Sequence, residues 1–224
     1  MKGPTNSVAR DGDWAPGLQK ARIYEQILLD IILGELPPMR VLDERALARH
    51  YAAGIAGVRD TLGRLALEGL VVRRPRVGTV VAPLDVREIE QAFEVRYMLE
   101  GRCAALAARN AKADDIAAIT GAFEGAEAAI AAADFRTMLS MDRVFHKAVA
   151  FATGNDTLAR FVVSLQNIAT RFWIWQMEQQ TPQDQLADVV LHRALGAAIA
   201  DHDPAAAEAA AVRLVGEPPS AHRG

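Results

Sequence analysis

Cys103 is the only cysteine in 224 residues, which excludes an internal disulfide framework and any cysteine-based zinc cluster, and makes a reducing cytoplasm the natural compartment. Aromatic residues make up only 6% of the chain, so a core has to be built mainly from small aliphatic side chains. No stretch approaches the roughly 18 consecutive apolar residues of a membrane span. The opening MKGPTNSVARDGDWAPG is polar and rich in Gly and Pro, without the apolar centre of a secretion signal. The chain also lacks an HExxH zinc-protease motif, a Gly-rich phosphate loop and the paired Glu-x-x-His motifs of di-iron bundles. Enzymes built on those devices are therefore excluded, and the chain is read as a non-enzyme.

What is present is alanine and helix periodicity. Hydrophobic residues reach 51%, and the alanine runs favour closely packed helices. The net charge of −3 divides unevenly. Up to Pro83 there are twelve Lys/Arg against nine Asp/Glu (+3); beyond it there are thirteen against nineteen (−6). Net charge speaks to partners rather than to fold. The front part can sit on a polyanion and the back part is repelled by one, which implies two domains with two tasks.

The punctuation supports that division. A first helix spans about 18–33, with Ile23, Ile27, Leu28 and Ile31 on one face, and stops before Gly34 and Pro37-Pro38. Asp43 is positioned to cap a short helix through Tyr51 that buries Leu47. A third helix runs from about Ile55 to Glu68, burying Val58, Leu62 and Leu65, with Gly69 closing it. Two strands, 70–74 and 79–82, flank Pro75–Gly78. After Pro83, Asp85 caps a helix to about Asn110, followed by helices near 114–132, 134–153, 157–180, 183–201 and 204–215. Short links between them imply an antiparallel bundle. The expected fold is mostly α: an N-terminal winged helix-turn-helix of three helices plus a β-hairpin wing, then an all-α antiparallel helical bundle. The expected domain limits are a tail at 1–17, the winged unit at 18–84, the helical domain at 85–217 and a tail at 218–224.

Seven arginines fall between Arg45 and Arg76. Arginine presents a planar fork that grips phosphate and reads guanine through O6 and N7. Arg59 lies on the second turn of the recognition helix, Arg45 at the start of the preceding helix, with Arg49 on the same helix. Arg76 lies at the wing tip beside Gly78, where a basic side chain can enter a minor groove. The competing reading is a solvated basic face on an interaction module. The start of the recognition helix, Gly54-Ile55-Ala56-Gly57, carries no side chain able to hydrogen-bond a base or phosphate. Backbone N–H groups there can still hold a phosphate.

In the helical half, Asp142 and His146 stand four apart, on one face of a helix. His192, on a later helix, would meet them across the bundle. One carboxylate and two imidazoles suit a divalent ion: zinc first, with nickel or manganese as alternatives. Asp188, four before His192, would orient that imidazole or replace a ligand. The alternative is a surface ion pair at Asp142–His146 and a buried, satisfied His192. Arg96 would either face a cavity or pair with Glu94 or Glu100. Asn167 could offer its amide to a ligand. Phe172, Trp173 and Trp175 read as core or dimer packing, and Cys103 as a buried small residue.

These segments resemble the GntR family of bacterial transcription regulators. The resemblance rests on IYEQILLDIILGELPP (23–38), LDERALA (42–48), VRDTL (58–62) and LALEGLVVRRPRVGTVVAPLD (65–85). The helical half resembles the FCD-type effector domain of the FadR subgroup, through FEVRYMLEGRCAALAA (93–108), MDRVFHKAVAFATGN (141–155) and LHRALGAAIADHDPAAAEAAA (191–211). The resemblance implies a homodimer that places two winged heads on a near-palindromic double-stranded operator. It also implies a small organic acid effector, metal-assisted, bound in the helical domain near Arg96, with Pro83–Asp85 as the coupling junction. Metal-binding members carry a further histidine about six turns beyond the one matched by His192; counting 22 residues on reaches Leu214 instead. The GntR family usually has a Ser/Thr-Arg-Thr-Pro-type turn where Gly54–Gly57 stand, and a glycine where Arg76 stands. The larger tip either limits groove entry or replaces the missing arginine. DNA specificity is thus expected to be retained but altered. Two other functions remain open: a metalloenzyme on a helical bundle, and a regulator that has lost sequence-specific DNA reading.

Overall fold

The computed structural model describes residues 19–177 and 179–216, without the side chains of residues 19, 20 and 173–177. The expected tails, Leu18 and the side chains of Trp173 and Trp175 lie outside that description. The chain divides into two compact units, with the boundary between Pro83 and Leu84.

The first unit contains α1 (Gln19–Ile32), α2 (Glu44–His50), α3 (Ile55–Leu67), β1 (Val71–Arg74) and β2 (Gly78–Val81). Ile23, Ile27, Leu28 and Ile31 of α1 are buried with Leu47, Val58, Leu62 and Leu65, as the 3.6-residue spacing requires. Asp43 caps α2 by accepting a hydrogen bond from the Ala46 N–H at 2.6 Å. Two tyrosines tie the helices together through hydrogen bonds: the Tyr51 hydroxyl donates to Asp30, and that of Tyr24 donates to Glu68 at 2.5 Å. Gly54 begins α3 without a side-chain cap. The strands form one antiparallel pair, with Val71 opposite Val81 and Arg74 opposite Gly78. The chain before α2 joins them: Leu42 N–H donates to Thr79 at 2.8 Å, and Val81 N–H to Arg40 at 2.9 Å. At the wing tip Arg76 has a φ of +65° and Gly78 one of +107°. The tip therefore demands left-handed backbone that glycine adopts freely and arginine does not.

Among the described residues the second unit contains helices alone: α4 (Val86–Asn110), α5 (Ala113–Gly121), α6 (Ala126–Ala131), α7 (Phe135–Ala152), α8 (Asp156–Met177), α9 (Pro182–Ala200) and α10 (Pro204–Val215). Caps set the starts: Asp85, Asp134, Thr181 and Asp203 each accept hydrogen bonds from the first turn of the helix that follows. The alanines allow α4 and α10 to pack closely through Ala104, Ala108, Ala207 and Ala211. A Cβ at Gly101 would stand 3.2 Å from Val212 Cγ2 and 3.3 Å from Glu208 Cγ, so that contact has no room to spare.

One expectation is corrected. The continuous helix over 114–132 is two helices separated by a turn at residues 122–125, where Gly125 has a φ of +82°. The break brings Phe123 into the core, its ring centroid 5.7 Å from that of Phe145 and 4.5 Å from that of His192. Arg193 fixes the turn by donating to the Phe123 carbonyl at 3.0 Å while pairing with Glu127. The two phenylalanine rings back His192, whose imidazole is part of the lining of a polar cavity.

Candidate functional site

That cavity is lined from α4, α7, α8, α9 and α10 and has a volume of about 160 Å³. Helix α7 supplies Asp142 and His146, one turn apart on its buried face; α9 supplies His192. The three come together: Asp142 Oδ1 is 3.5 Å from His146 Nε2 and 3.3 Å from His192 Nε2. All three are buried, and their candidate ligand atoms lie within 4.8 Å of one another. Donor atoms about 2.0–2.1 Å from a tetrahedral zinc stand roughly 3.3–3.4 Å apart, close to the separations of Asp142 Oδ1 from the two imidazoles.

The outer contacts leave one atom of each group facing the others. The second Asp142 oxygen, Oδ2, accepts a hydrogen bond from Gln166 Nε2 at 3.0 Å. His192 Nδ1 lies 2.9 Å from the Asp188 backbone carbonyl. A carbonyl can only accept, so Nδ1 carries the proton and the Nε2 lone pair faces the cluster in the neutral ring. Nε2 is buried and has no hydrogen-bond partner. A buried imidazole lone pair facing a carboxylate oxygen is costly when nothing lies between them, and a cation between it and Asp142 would satisfy both. His146 Nδ1 faces Glu100 Oε2 at 3.5 Å. The donor set and the orphaned nitrogen fit a divalent ion.

Electrostatics agree with that arrangement. Burial works to raise the Asp142 carboxyl pKa, but His146 and His192 outweigh it and hold the group well below the usual carboxylate range. Burial works to lower the His192 pKa, and Asp142 and Asp188 outweigh it, raising the group above 6.5. Burial pushes the Asp188 carboxyl up. In metal-free protein the raised His192 pKa stabilises the fold fully below the ordinary histidine value, and the benefit is lost as pH rises through the folded value. The depressed Asp142 pKa contributes above the ordinary carboxylate value and is lost only in strong acid. The thermal midpoint of chelator-treated protein is therefore expected to fall above about pH 7. A midpoint that stays flat or rises from pH 6 to 9 contradicts the assignment.

The remaining expectations are placed as follows. Leu214 is on the cavity wall, so an apolar side chain occupies the position where the resemblance puts a histidine. Arg96 does both things weighed for it: it lines the cavity, and its Nε pairs with Glu100 Oε1 at 2.5 Å. Asn167 is buried with its oxygen taken by Arg143 at 2.5 Å, and it is not among the lining residues; Gln166 and Thr170 are. Gln166, Thr170, Gln180 and Glu100 were not singled out from the sequence. Glu100, four residues from Arg96, carried a signal only as that arginine's partner. His202 is not among the residues lining the cavity, and its Nδ1 lies 2.8 Å from the Ala108 carbonyl. Cys103 is buried, which pushes its thiol up to about 12, so it is inert.

The first unit carries the other candidate surface. Arg45, Arg49, Arg59, Arg76 and Gly78 are exposed, as are Gly54 and Ala56. Gly57 is half-buried, and a Cβ there would lie 3.5 Å from Ile23 Cδ1. It faces α1. A groove of about 510 Å³ opens between Glu44, Arg59 and the wing residues Arg73, Arg74 and Gly78. Arg59 is paired within it: Nε and Nη2 donate to Glu44 at 2.7–3.2 Å. Among the described residues no helix is long and apolar enough to cross a membrane.

Comparison with known proteins follows the same division. Residues 19–81 match the model for bacterial regulatory proteins of the gntR family, and residues 91–217 match the FCD domain. A probable D-xylose utilization operon transcriptional repressor of Paenarthrobacter nicotinovorans is 28% identical, covering 90% of this chain and 88% of the relative. The HTH-type transcriptional repressor GlaR of Escherichia coli (strain K12) is 26% identical over 82% of this chain and 86% of the relative. The solved structure of E. coli McbR/YncC superposes with a TM-score of 0.75 at 20% identity, covering 88% of this chain and 93% of that one. That likeness concerns the fold. The chain belongs to the GntR family of bacterial regulatory proteins, and it is a ligand-responsive transcription regulator with an FCD effector domain.

Proposed function

We propose that the protein binds a near-palindromic operator as a homodimer through Arg45, Arg49, Arg59 and the Arg76–Gly78 wing tip, with Gly54 and Ala56 contributing backbone alone, and that a small organic acid in the helical domain controls that binding. The family's relatives are named as regulators, which favours control of transcription over turnover of a substrate. The observation that carries the effector half is the convergence of Asp142, His146 and His192 on one cavity with Arg96 in its wall.

Asp142 Oδ1, His146 Nε2 and His192 Nε2 would hold a divalent ion, with zinc favoured by two imidazoles and one carboxylate over nickel or manganese. Bound there, the ion would supply positive charge and open coordination positions for a carboxylate. The chain's own groups account for the rest. Gln166 orients Asp142 through Oδ2. The Asp188 carbonyl sets the His192 tautomer. Glu100 holds Arg96 at the wall, where the guanidinium edges not used by that pair remain available to an anion. A volume of about 160 Å³ suits an acid of a few carbon atoms rather than a drug-sized ligand.

An effector switches DNA binding only by binding two arrangements of the protein with different affinity. Operator affinity measured with and without a panel of small mono- and dicarboxylates tests this. At least one acid is expected to shift the affinity about fivefold or more, the lower end of typical coupling between sites.

A further inference from the structure

The Glu44–Arg59 pair sits on the surface that faces DNA, and an acidic side chain there opposes the attraction of the phosphate backbone. Glu44 is the first residue of α2 and Arg59 the fifth of α3. Both carboxylate oxygens are used: Arg59 Nε lies 3.2 Å from Oε1 and 3.1 Å from Oε2, and Nη2 lies 2.7 Å from Oε2. The pair is solvent-facing, with Arg59 62% exposed and Glu44 32%. A surface ion pair of this kind adds little to stability. Its geometric effect is larger, because a side-on bidentate contact occupies the Nε–Nη2 edge, fixes the guanidinium plane and leaves the Nη1 end directed outward.

The same neighbourhood has lost other means of reading sequence. Gly54, Ile55 and Ala56 present no polar side chain, and Gly57 faces α1. Arg73 and Arg74 border the groove beside the pair and supply charge for phosphate without needing Arg59. Arg59 is therefore the recognition-helix side chain in this groove able to discriminate bases, and it is useful for that only while it is kept from collapsing onto a phosphate.

We propose that Glu44 is a specificity-determining positioning residue. Its carboxylate holds the Arg59 guanidinium in a base-reading orientation and, by like-charge repulsion, disfavours the phosphate-bound alternative on non-operator DNA. Specificity then arises from a penalty on the wrong complex as much as from a contact in the right one. The inference rests on Arg59 being a base-reading residue.

The test uses the full-length protein and two duplexes: the best binder selected from a random-sequence pool, and a shuffled duplex of the same composition. Their affinities are measured over a salt series. For Glu44→Gln, shuffled-duplex binding is expected to tighten about threefold at low salt, the effect of roughly one added phosphate contact, with a steeper salt dependence. The selected-to-shuffled ratio is expected to fall roughly tenfold, within the range for one bidentate base contact. Glu44→Asp keeps the charge but shortens the reach; it should keep shuffled binding weak while still lowering the ratio. In an Arg59→Ala background, Glu44→Gln should no longer change the ratio. Equal thermal midpoints separate these effects from loss of the fold. If Glu44→Gln leaves the ratio unchanged while Arg59→Ala lowers it, the inference is overturned and the reading of Arg59 stands. If neither changes it, both are overturned. If Glu44→Gln weakens both duplexes equally, the residue serves only the fold and the inference is wrong.

Discussion

Replacing His192 by alanine is expected to reduce the zinc content of the purified protein from about one equivalent to background after gentle dialysis. The cluster holds three ligand atoms, and Nε2 of His192 is fully buried with no hydrogen-bond partner. Loss of an outer partner around a metal typically weakens affinity about 10–100-fold; loss of one of three direct ligands should exceed that. His146→Ala should behave in the same way. The reciprocal change is Leu214→His, which introduces an imidazole from a residue already on the cavity wall and should tighten zinc binding at least tenfold by the same comparison. Metal analysis and competition with a chromophoric chelator measure both. Equal zinc content in wild type and His192→Ala would remove the metal site from the account. Thermal midpoints measured in chelator distinguish ligand loss from a cavity left beside Phe123 and Phe145, whose rings flank His192 at 4.5 and 5.1 Å.

Arg59→Ala is the second large effect expected. The side chain is exposed on the outer face of α3, so its removal should cost little stability, and its ion pair with Glu44 is too solvated to matter to the fold. Discrimination between the selected operator and shuffled DNA should fall by about 1–3 kcal/mol, or roughly 5- to 150-fold, the usual range for one bidentate base contact. Arg45→Ala and Arg49→Ala should instead weaken both duplexes together, as phosphate contacts do. A uniform loss from Arg59→Ala would place it among the backbone contacts and leave sequence reading to the wing.

The first unit was legible almost residue by residue because its signals are local. Asp43 caps, Gly69 stops, and Val58, Leu62 and Leu65 mark a buried stripe. Arg76 shows the limit of that reading. Its left-handed backbone explains why a glycine is natural at the wing tip, but conformation could not be read from an arginine in the sequence. In the helical unit the long capped helices were equally legible. The turn at 122–125 was not, because the alanine pattern runs across it and the reason for the break is tertiary: Phe123 belongs against Phe145 and His192.

The site divides in the same way. The four-residue step from Asp142 to His146 is a property of one helix, whereas the approach of His192 depends on how α9 packs. Asn167 and Gln166 are neighbours on α8, and a rotation of about 100° between them decides which faces the cavity. The structure selects Gln166, through its bond to Asp142. Periodicity alone could not, because both residues are buried and polar. Arg96 could be read as a cavity residue or as a helix-surface partner of Glu100. It is both, since the pair itself is buried at the cavity wall.

The account stands or falls on thermodynamic linkage between the two units. The direct measurement is the operator dissociation constant of zinc-loaded protein with and without a saturating small carboxylate, repeated on His192→Ala. The predicted result is a shift of about fivefold or more in wild type, and its loss in the variant while operator binding without the acid is unchanged. Tight binding of an acid in the helical domain with no change in operator affinity would contradict a ligand-controlled regulator acting through this site.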